Sequence, residues 1–337
     1  MRSTQLQIAV VGVGRIGALH ADLVARQVAG ATLAAVTDAD GERAERVAAR
    51  LRVPARSYDE ILDDPAVDAV AICSSTDTHV DLIVAAAARG KAIFCEKPIS
   101  LDLAQVDVAL DAVERAETFF QVGFNRRFDP AHRSVRDAVA DGSIGDVHVV
   151  RITSRDPAPP PLDYLRVSGG IFLDMTVHDF DMARFVTGSD VVEVFALGAV
   201  RVVPGLNELG DLDTAVVTLT HACGAYTVID NSRQSAYGFD QRVEAFGSRG
   251  MASSENPLAH TGVVRTADGT RGERLPHFFL ERYMPSYVRE WEAFVAALRD
   301  GQPSPVPGAD GRAPLQIGLA ARRSAREGRS VRVDEIA

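Results

Sequence analysis

The chain has 337 residues, of which 46% are hydrophobic and 24% charged, the composition of an ordinary soluble globular protein. At roughly 150 residues per domain this length predicts two domains. Lys and Arg number 36 and Asp and Glu 46, giving a net charge of −10. That balance argues against a general nucleic-acid binder or an anionic-membrane binder, both of which need a basic footprint. A small-molecule protein is expected. The three cysteines, Cys73, Cys95 and Cys223, form no CxxC pair. MRSTQLQ lacks a charged leader followed by a long apolar run, and no stretch approaches the ~18 apolar residues that span a bilayer. These features predict a cytoplasmic setting.

Strand-like and helix-like segments alternate through the first third. LQIAVV (6–11) reads as a strand, 15–27 as a helix, TLAAVT (32–37) as a strand and 42–51 as a helix. A short helix near 57–62, a strand at 69–73, a helix at 79–89, a strand at 92–95, a helix at 103–116 and a strand at 119–122 follow. Short apolar strands separated by helices predict a parallel, doubly wound α/β (Rossmann) sheet over residues 1–123. The pattern then changes. A helix at 130–140, a strand at 147–153 and the Pro-rich loop 156–162 precede a helix predicted at 173–187. Strand-like stretches at 191–203, 214–220, 225–231 and 242–246 come without intervening helices, so 124–337 is expected to be an α+β domain with a mainly antiparallel sheet. Closing helices are expected at 287–298 and 314–326.

Gly12-Val13-Gly14-Arg15-Ile16-Gly17 matches GxGxxG between a strand and a helix, the context a dinucleotide fingerprint requires. Gly12 permits the tight turn, Gly14 allows a pyrophosphate to approach, and Gly17 lets helix and strand pack closely. The helix N-terminus supplies amides for the phosphates. Asp38 ends the second strand, where a carboxylate accepts hydrogen bonds from the adenosine ribose of NAD and repels the 2′-phosphate of NADP. NAD is therefore the expected cofactor. Glu96, Lys97 and Pro98 follow a later strand, which places Lys97 to reach the nicotinamide region. Ser74, Ser75, Thr76 and His79, also beyond a strand end, are expected to line the same cleft.

The segment Gly169–Asp181 (GGIFLDMTVHDFD) carries the densest chemistry. A continuous helix from Leu173 places Asp174 and His178 at i and i+4 on one face, with Asp181 close to it. Apolar neighbours favour pKa tuning of such a pair. No second imidazole or thiolate stands at ligand spacing, so no metal site is expected.

GVGRIG, CEKP, QVGFNRRFDP and SGGIFLDMTVHDFDMARF, in this order and spacing, resemble the glucose–fructose oxidoreductase/inositol dehydrogenase (Gfo/Idh/MocA) family over essentially the whole chain. NSRQSAYGFDQR is similar to the inositol 2-dehydrogenases within it. The resemblance implies a Rossmann domain followed by a large open sheet used for oligomerisation, often as a tetramer. It implies Lys97, Asp174 and His178 as a catalytic trio and Tyr237 as a substrate contact. Asn125 and Arg127 of GFNRR, and Asp156 in a loop that varies among relatives, are placed toward the substrate. The expected reaction is oxidation of a secondary hydroxyl of a cyclic polyol, foremost myo-inositol to 2-keto-myo-inositol. Alternatives are scyllo-inositol, another inositol or a pyranose, then an NAD-dependent glycosidase or a non-catalytic NAD-binding regulator.

Overall fold

The run LQIAVV forms β1 (Leu6–Val11), whose Ile8, Ala9 and Val10 are fully buried, as a strand covered on both faces should be. The computed structural model describes residues 5–336. β1 leads into α1 (Arg15–Arg26), which buries Gly17, His20, Ala21 and Val24 at helical spacing. β2 (Ala31–Thr37), α2 (Gly41–Leu51), α3 (Tyr58–Asp63), β3 (Ala69–Ile72), α4 (His79–Ala88), β4 (Ala92–Glu96), α5 (Leu103–Arg115) and β5 (Phe120–Gly123) complete the alternation. All neighbours in this sheet pair in parallel, in the order β2-β1-β3-β4-β5. The order reverses between β1 and β3, and in such sheets ligands bind beyond the strand ends at that reversal.

The rest of the chain opens with α6 (Pro130–Ala140), capped by Asp129. β6 (Val147–Arg155), α7 (Leu162–Leu165), α8 (Ile171–Asp174) and α9 (Val177–Thr187) follow. Next come β7 (Val191–Ala199), β8 (Thr214–His221), β9 (Tyr226–Ser232), β10 (Asp240–Gly247) and β11 (Gly250–Ser254). β12 (Val264–Thr266) and β13 (Gly269–Arg271) form a small hairpin, and α10 (Phe279–Arg299), α11 (Gly308–Glu327) and β14 (Val331–Arg332) close the chain. The large sheet runs β11-β10-β6-β9-β8-β7-β14, antiparallel throughout except for the β6–β9 pair. One face, including Val150, Ile152, Val217, Ile229 and Val243, joins a core with Phe180, Val186 and Ile317. The other exposes Leu197, Val216, Tyr226, Val228, Phe246 and Met251. Among the described residues, no helix is long and apolar enough to cross a membrane.

Two expectations differ from what is observed. The chain divides into two compact units, but Tyr287–Ala313 clusters with the unit ending at Asn125, while Arg126–Ser286 and Pro314–Ala337 make the other. A division at 123 with everything after it in one domain misses this return. Its physical reason is aromatic: Trp291 stacks on Phe94 of β4 at 4.6 Å, and Phe294 meets both rings edge-on. The helix expected at 173–187 is also interrupted. The Thr176 amide reaches back five residues to the Ile171 carbonyl at 2.9 Å, and its hydroxyl donates to Asn231 Oδ1 at 2.6 Å. A Thr side chain and amide engaged in this way leave the α-helical ladder, so α8 and α9 are separate.

Candidate functional site

At the end of β1 the glycines divide by cause. Gly12 has φ +82°, and a Cβ there would lie 2.5 Å from the Ser74 backbone; a Cβ on Gly17 would lie 1.8 Å from the Gly12 carbonyl oxygen. Packing alone demands these two. Gly14 has open space on its Cβ side, and it begins α1 with no side chain capping the helix. The first-turn amides, around exposed Arg15 and half-buried Ile16, therefore sit at an open helix N-terminus, a cradle that suits a pyrophosphate.

Asp38 stands beside this turn. Its Oδ2 accepts from the Val13 amide at 2.7 Å, and its Oδ1 accepts from the Asp40 amide at 2.9 Å and from Arg43 Nη1 at 3.1 Å. Asp40, not Asp38, caps α2. Arg43, in the first turn of α2, turns back to pair with Asp38. The carboxylate fixes the glycine turn.

Ser74, Ser75 and Thr76 lie at the end of β3 opposite Gly12, with the Ser74 hydroxyl 2.7 Å from that of Thr78. His79 and Glu96 behave differently from cleft-lining residues. His79 is 1% exposed, with its ring nitrogens 2.9 Å from the Pro98 carbonyl and 3.1 Å from the Ser74 carbonyl. It joins two loops rather than presenting itself to a cofactor. Burial pushes its pKa down, and a neutral imidazole donates to only one of the two carbonyls at a time. Glu96 is 9% exposed and points inward, its Oε1 2.8 Å from His20 Nε2 and its Oε2 accepting from the Lys97 amide at 3.1 Å. Lys97 is half-buried on the turn that follows.

In the second unit Asp174 ends α8, and its Oδ1 accepts from the Tyr164 hydroxyl at 2.7 Å while its Oδ2 accepts from Arg233 Nη1 at 3.2 Å. Arg233 is 1% exposed, so this pair is shielded from water on the arginine side. Gly170, at φ +83°, starts α8 where a Cβ would press within 2.8 Å of Asp211 Oδ1, and that oxygen accepts from the Ile171 amide at 2.9 Å. His178, half-buried in the first turn of α9, follows four residues after Asp174. Asp156 lies near Arg126, Arg233, Asp174 and Asp179; burial pushes its carboxyl up to about 6 despite the two arginines.

Other expected contacts fall elsewhere. Arg127 donates through Nε to both oxygens of Asp181, at 3.0 and 2.9 Å, and both residues are buried. Arg127 is thus engaged in an internal ion pair, and Asp181 points into the core rather than toward solvent. Arg126 pairs in the same way with Asp179 at 2.8 Å. Tyr237 is 53% exposed; its hydroxyl donates to Asp240 Oδ2 at 2.8 Å and accepts from Arg155 Nη1 at 2.7 Å. Arg155 and Asp156 are neighbours on an extended strand end and face opposite sides of the sheet, so Tyr237 joins the side away from Asp174. Asn125 is 4% exposed, and its Nδ2 has no hydrogen-bond acceptor among the described residues. Sequence reasoning missed Tyr164, Asp211 and Arg233. Only Arg233 stood in a quoted motif, NSRQ.

Residues 6–124 match the model of an oxidoreductase family with an NAD-binding Rossmann fold, and residues 132–253 match the GFO/IDH/MocA C-terminal domain. The chain is 48% identical over 333 residues to the myo-inositol 2-dehydrogenase of Thermotoga maritima, covering 98% of this chain and 99% of that one. It is 45% identical over 328 residues to the inositol 2-dehydrogenase of Rhizobium meliloti, covering 97% and 99%. Its structure is similar to scyllo-inositol dehydrogenase from Lactobacillus casei with bound NAD(H) and scyllo-inositol, with a TM-score of 0.91 and 29% identity over 98% of this chain and 99% of that one.

Proposed function

The chain belongs to the GFO/IDH/MocA oxidoreductase family, and we propose that it is an NAD-dependent dehydrogenase of a cyclic polyol, oxidising myo-inositol to 2-keto-myo-inositol. The observation that carries this reading is the Asp174 carboxylate, held by buried Arg233 and by Tyr164 ahead of His178. NAD, when bound, accepts a hydride at its nicotinamide ring. The open N-terminus of α1 at Gly14 would hold its pyrophosphate, and Asp38 its adenosine ribose, with Ser74, Ser75 and Thr76 flanking it.

His178 is the general base that takes the substrate hydroxyl proton. Lys97 donates a hydrogen bond to the same oxygen and stabilises its developing negative charge. Asp174 accepts from a second hydroxyl and orients the ring, and Asp156 and Asn125 contribute further polar contacts. An uncharged polyol fits the electrostatics. Arg126, Arg127 and Arg233 are each matched by an aspartate, Asp179, Asp181 and Asp174 respectively. A pocket for an anionic substrate would keep an arginine available instead.

The apolar outer face of the large sheet supports a homo-oligomer, with a tetramer as our reading. Buried thiols at Cys73 and Cys95 and an exposed one at Cys223 support a reducing cytoplasm. Initial rates with NAD and NADP against myo-, scyllo- and chiro-inositol and glucose test the proposal. NADH formation fastest with myo-inositol is expected. A preference for scyllo-inositol moves the substrate to that isomer, which the likeness to the scyllo-inositol enzyme makes the main rival. No NADH with any polyol overturns the reading.

A further inference from the structure

The turn bearing Lys97 is tied to a chain of buried hydrogen bonds that begins in the C-terminal part of the sequence. Trp291 Nε1 donates to His20 Nδ1 at 2.9 Å, His20 Nε2 lies 2.8 Å from Glu96 Oε1, and Glu96 Oε2 accepts from the Lys97 amide at 3.1 Å. An indole N–H can only donate, so His20 Nδ1 is the acceptor and the ring proton sits on Nε2, directed at Glu96. The direction of every bond in the chain follows from that one fact. His20 and Trp291 are completely buried. The imidazole is enclosed by Phe94, Tyr287 and Trp291 at centroid distances of 5.3, 5.7 and 5.8 Å, which holds its plane.

Three titratable neighbours of Glu96 are pushed toward their neutral forms by burial. Glu290, beside Trp291, is fully buried; its own desolvation first and the nearby Glu96 second push its carboxyl well above the usual range, which favours its neutral form. The thiols of Cys73 and Cys95 are likewise raised by burial and kept neutral. His20 and the Lys97 amide both donate to the Glu96 carboxylate.

We propose that Trp291 and His20 are positioning residues for Lys97, acting through Glu96 to set the peptide from which the lysine projects. This rests on the catalytic role proposed for Lys97. It also gives the return of residues 287–313 to the first unit a function beyond packing. A displacement of about 1 Å at a catalytic group can cost on the order of a hundredfold in rate, so loss of one link in a packed chain is expected to cost about tenfold.

The test uses the full-length enzyme with NAD. Trp291→Phe retains an aromatic ring against Phe94 but removes the N–H; the expected result is a roughly tenfold lower kcat with KM for NAD within about twofold. His20→Gln can accept from the indole and donate to Glu96, so it should keep most of kcat, whereas His20→Leu should lose about tenfold or more. Thermal unfolding of each variant identifies any that fails to fold, and if Trp291→Phe does so, the His20 pair decides alone. ¹⁵N shifts of His20 should report the Nε2–H tautomer in both proteins, with the Nδ1 shift moving in Trp291→Phe because that nitrogen loses its indole donor. Lys97→Ala separates the two readings. A full turnover rate in Lys97→Ala overturns both, while an inactive Lys97→Ala beside fully active, folded His20→Leu or Trp291→Phe overturns the positioning role alone.

Discussion

Asp38→Ser is the sharpest test of how this chain chooses its cofactor. Asp38 is nearly buried, with 7% of its side chain exposed, and among the described residues the half-exposed Arg43 is the side-chain cation at hydrogen-bond distance. Two unit charges 4 Å apart interact by about 4 kcal/mol at an effective dielectric of 20. A 2′-phosphate seated on the ribose would meet that repulsion, reduced by solvent to roughly 3 kcal/mol, or about two decades in kcat/KM. Removing the carboxylate also releases Arg43, and an exposed ion pair to the phosphate adds up to about 1 kcal/mol. NAD meanwhile loses a charged acceptor for its ribose hydroxyls, worth about 1.5 to 3 kcal/mol. The ratio of kcat/KM for NAD over NADP should therefore fall by about three decades or more, measured by initial rates at saturating polyol. Asp38→Ser/Arg43→Ala should give back part of the NADP gain. A ratio that moves by less than tenfold refutes the electrostatic argument, and a double variant identical to the single one refutes the part given to Arg43.

The glycine turn supplies a paired test. Gly17→Ala should unfold or strongly destabilise the protein because its Cβ meets the Gly12 carbonyl oxygen, whereas Gly14→Ala should keep its Tm and raise KM for NAD; equal Tm losses would contradict the division. Asp181→Ala leaves the Arg127 guanidinium buried without its bidentate carboxylate and should cost about 3 to 5 kcal/mol in urea unfolding, and a change confined to KM for polyol would return Arg127 to the substrate site. Asp156 gives a pH signature. Its carboxyl is raised to about 6, so the native state binds the extra proton between roughly pH 4 and 6 and stability falls as pH rises through that window. Asp156→Asn should remove this slope from Tm-against-pH curves; an unchanged slope would place its origin in another group.

What could be read from the sequence was local. A strand, a glycine turn and a helix are contiguous in GVGRIG, so packing and ligand demands appear together within six residues. The two demands could not be separated by sequence, because only the fold shows that Gly17 is constrained by the Gly12 carbonyl and Gly14 by nothing nearby. The Asp174-to-His178 spacing was local too, but the break at Thr176 that puts the two on separate helices was not visible in it.

The residues misplaced by sequence reasoning are those whose partners lie far along the chain. Arg127 and Asp181 are 54 residues apart, and nothing near either one indicates that they neutralise each other. Glu96 ends β4 in a motif that points toward a cofactor, yet its partner His20 lies 76 residues earlier on α1. Tyr237 shows the strictest form of the problem. Adjacent strand residues face opposite sides, so contact with Arg155 rather than Asp156 moves the tyrosine across the whole sheet. In each case the residue type carried the expected chemistry and the pairing decided where that chemistry was used. A buried arginine facing an aspartate is structural ballast at Arg127 and a support for the proposed reacting group at Arg233. The difference is the second oxygen of Asp174, which is held by the hydroxyl of Tyr164, a half-exposed residue that a substrate hydroxyl can displace.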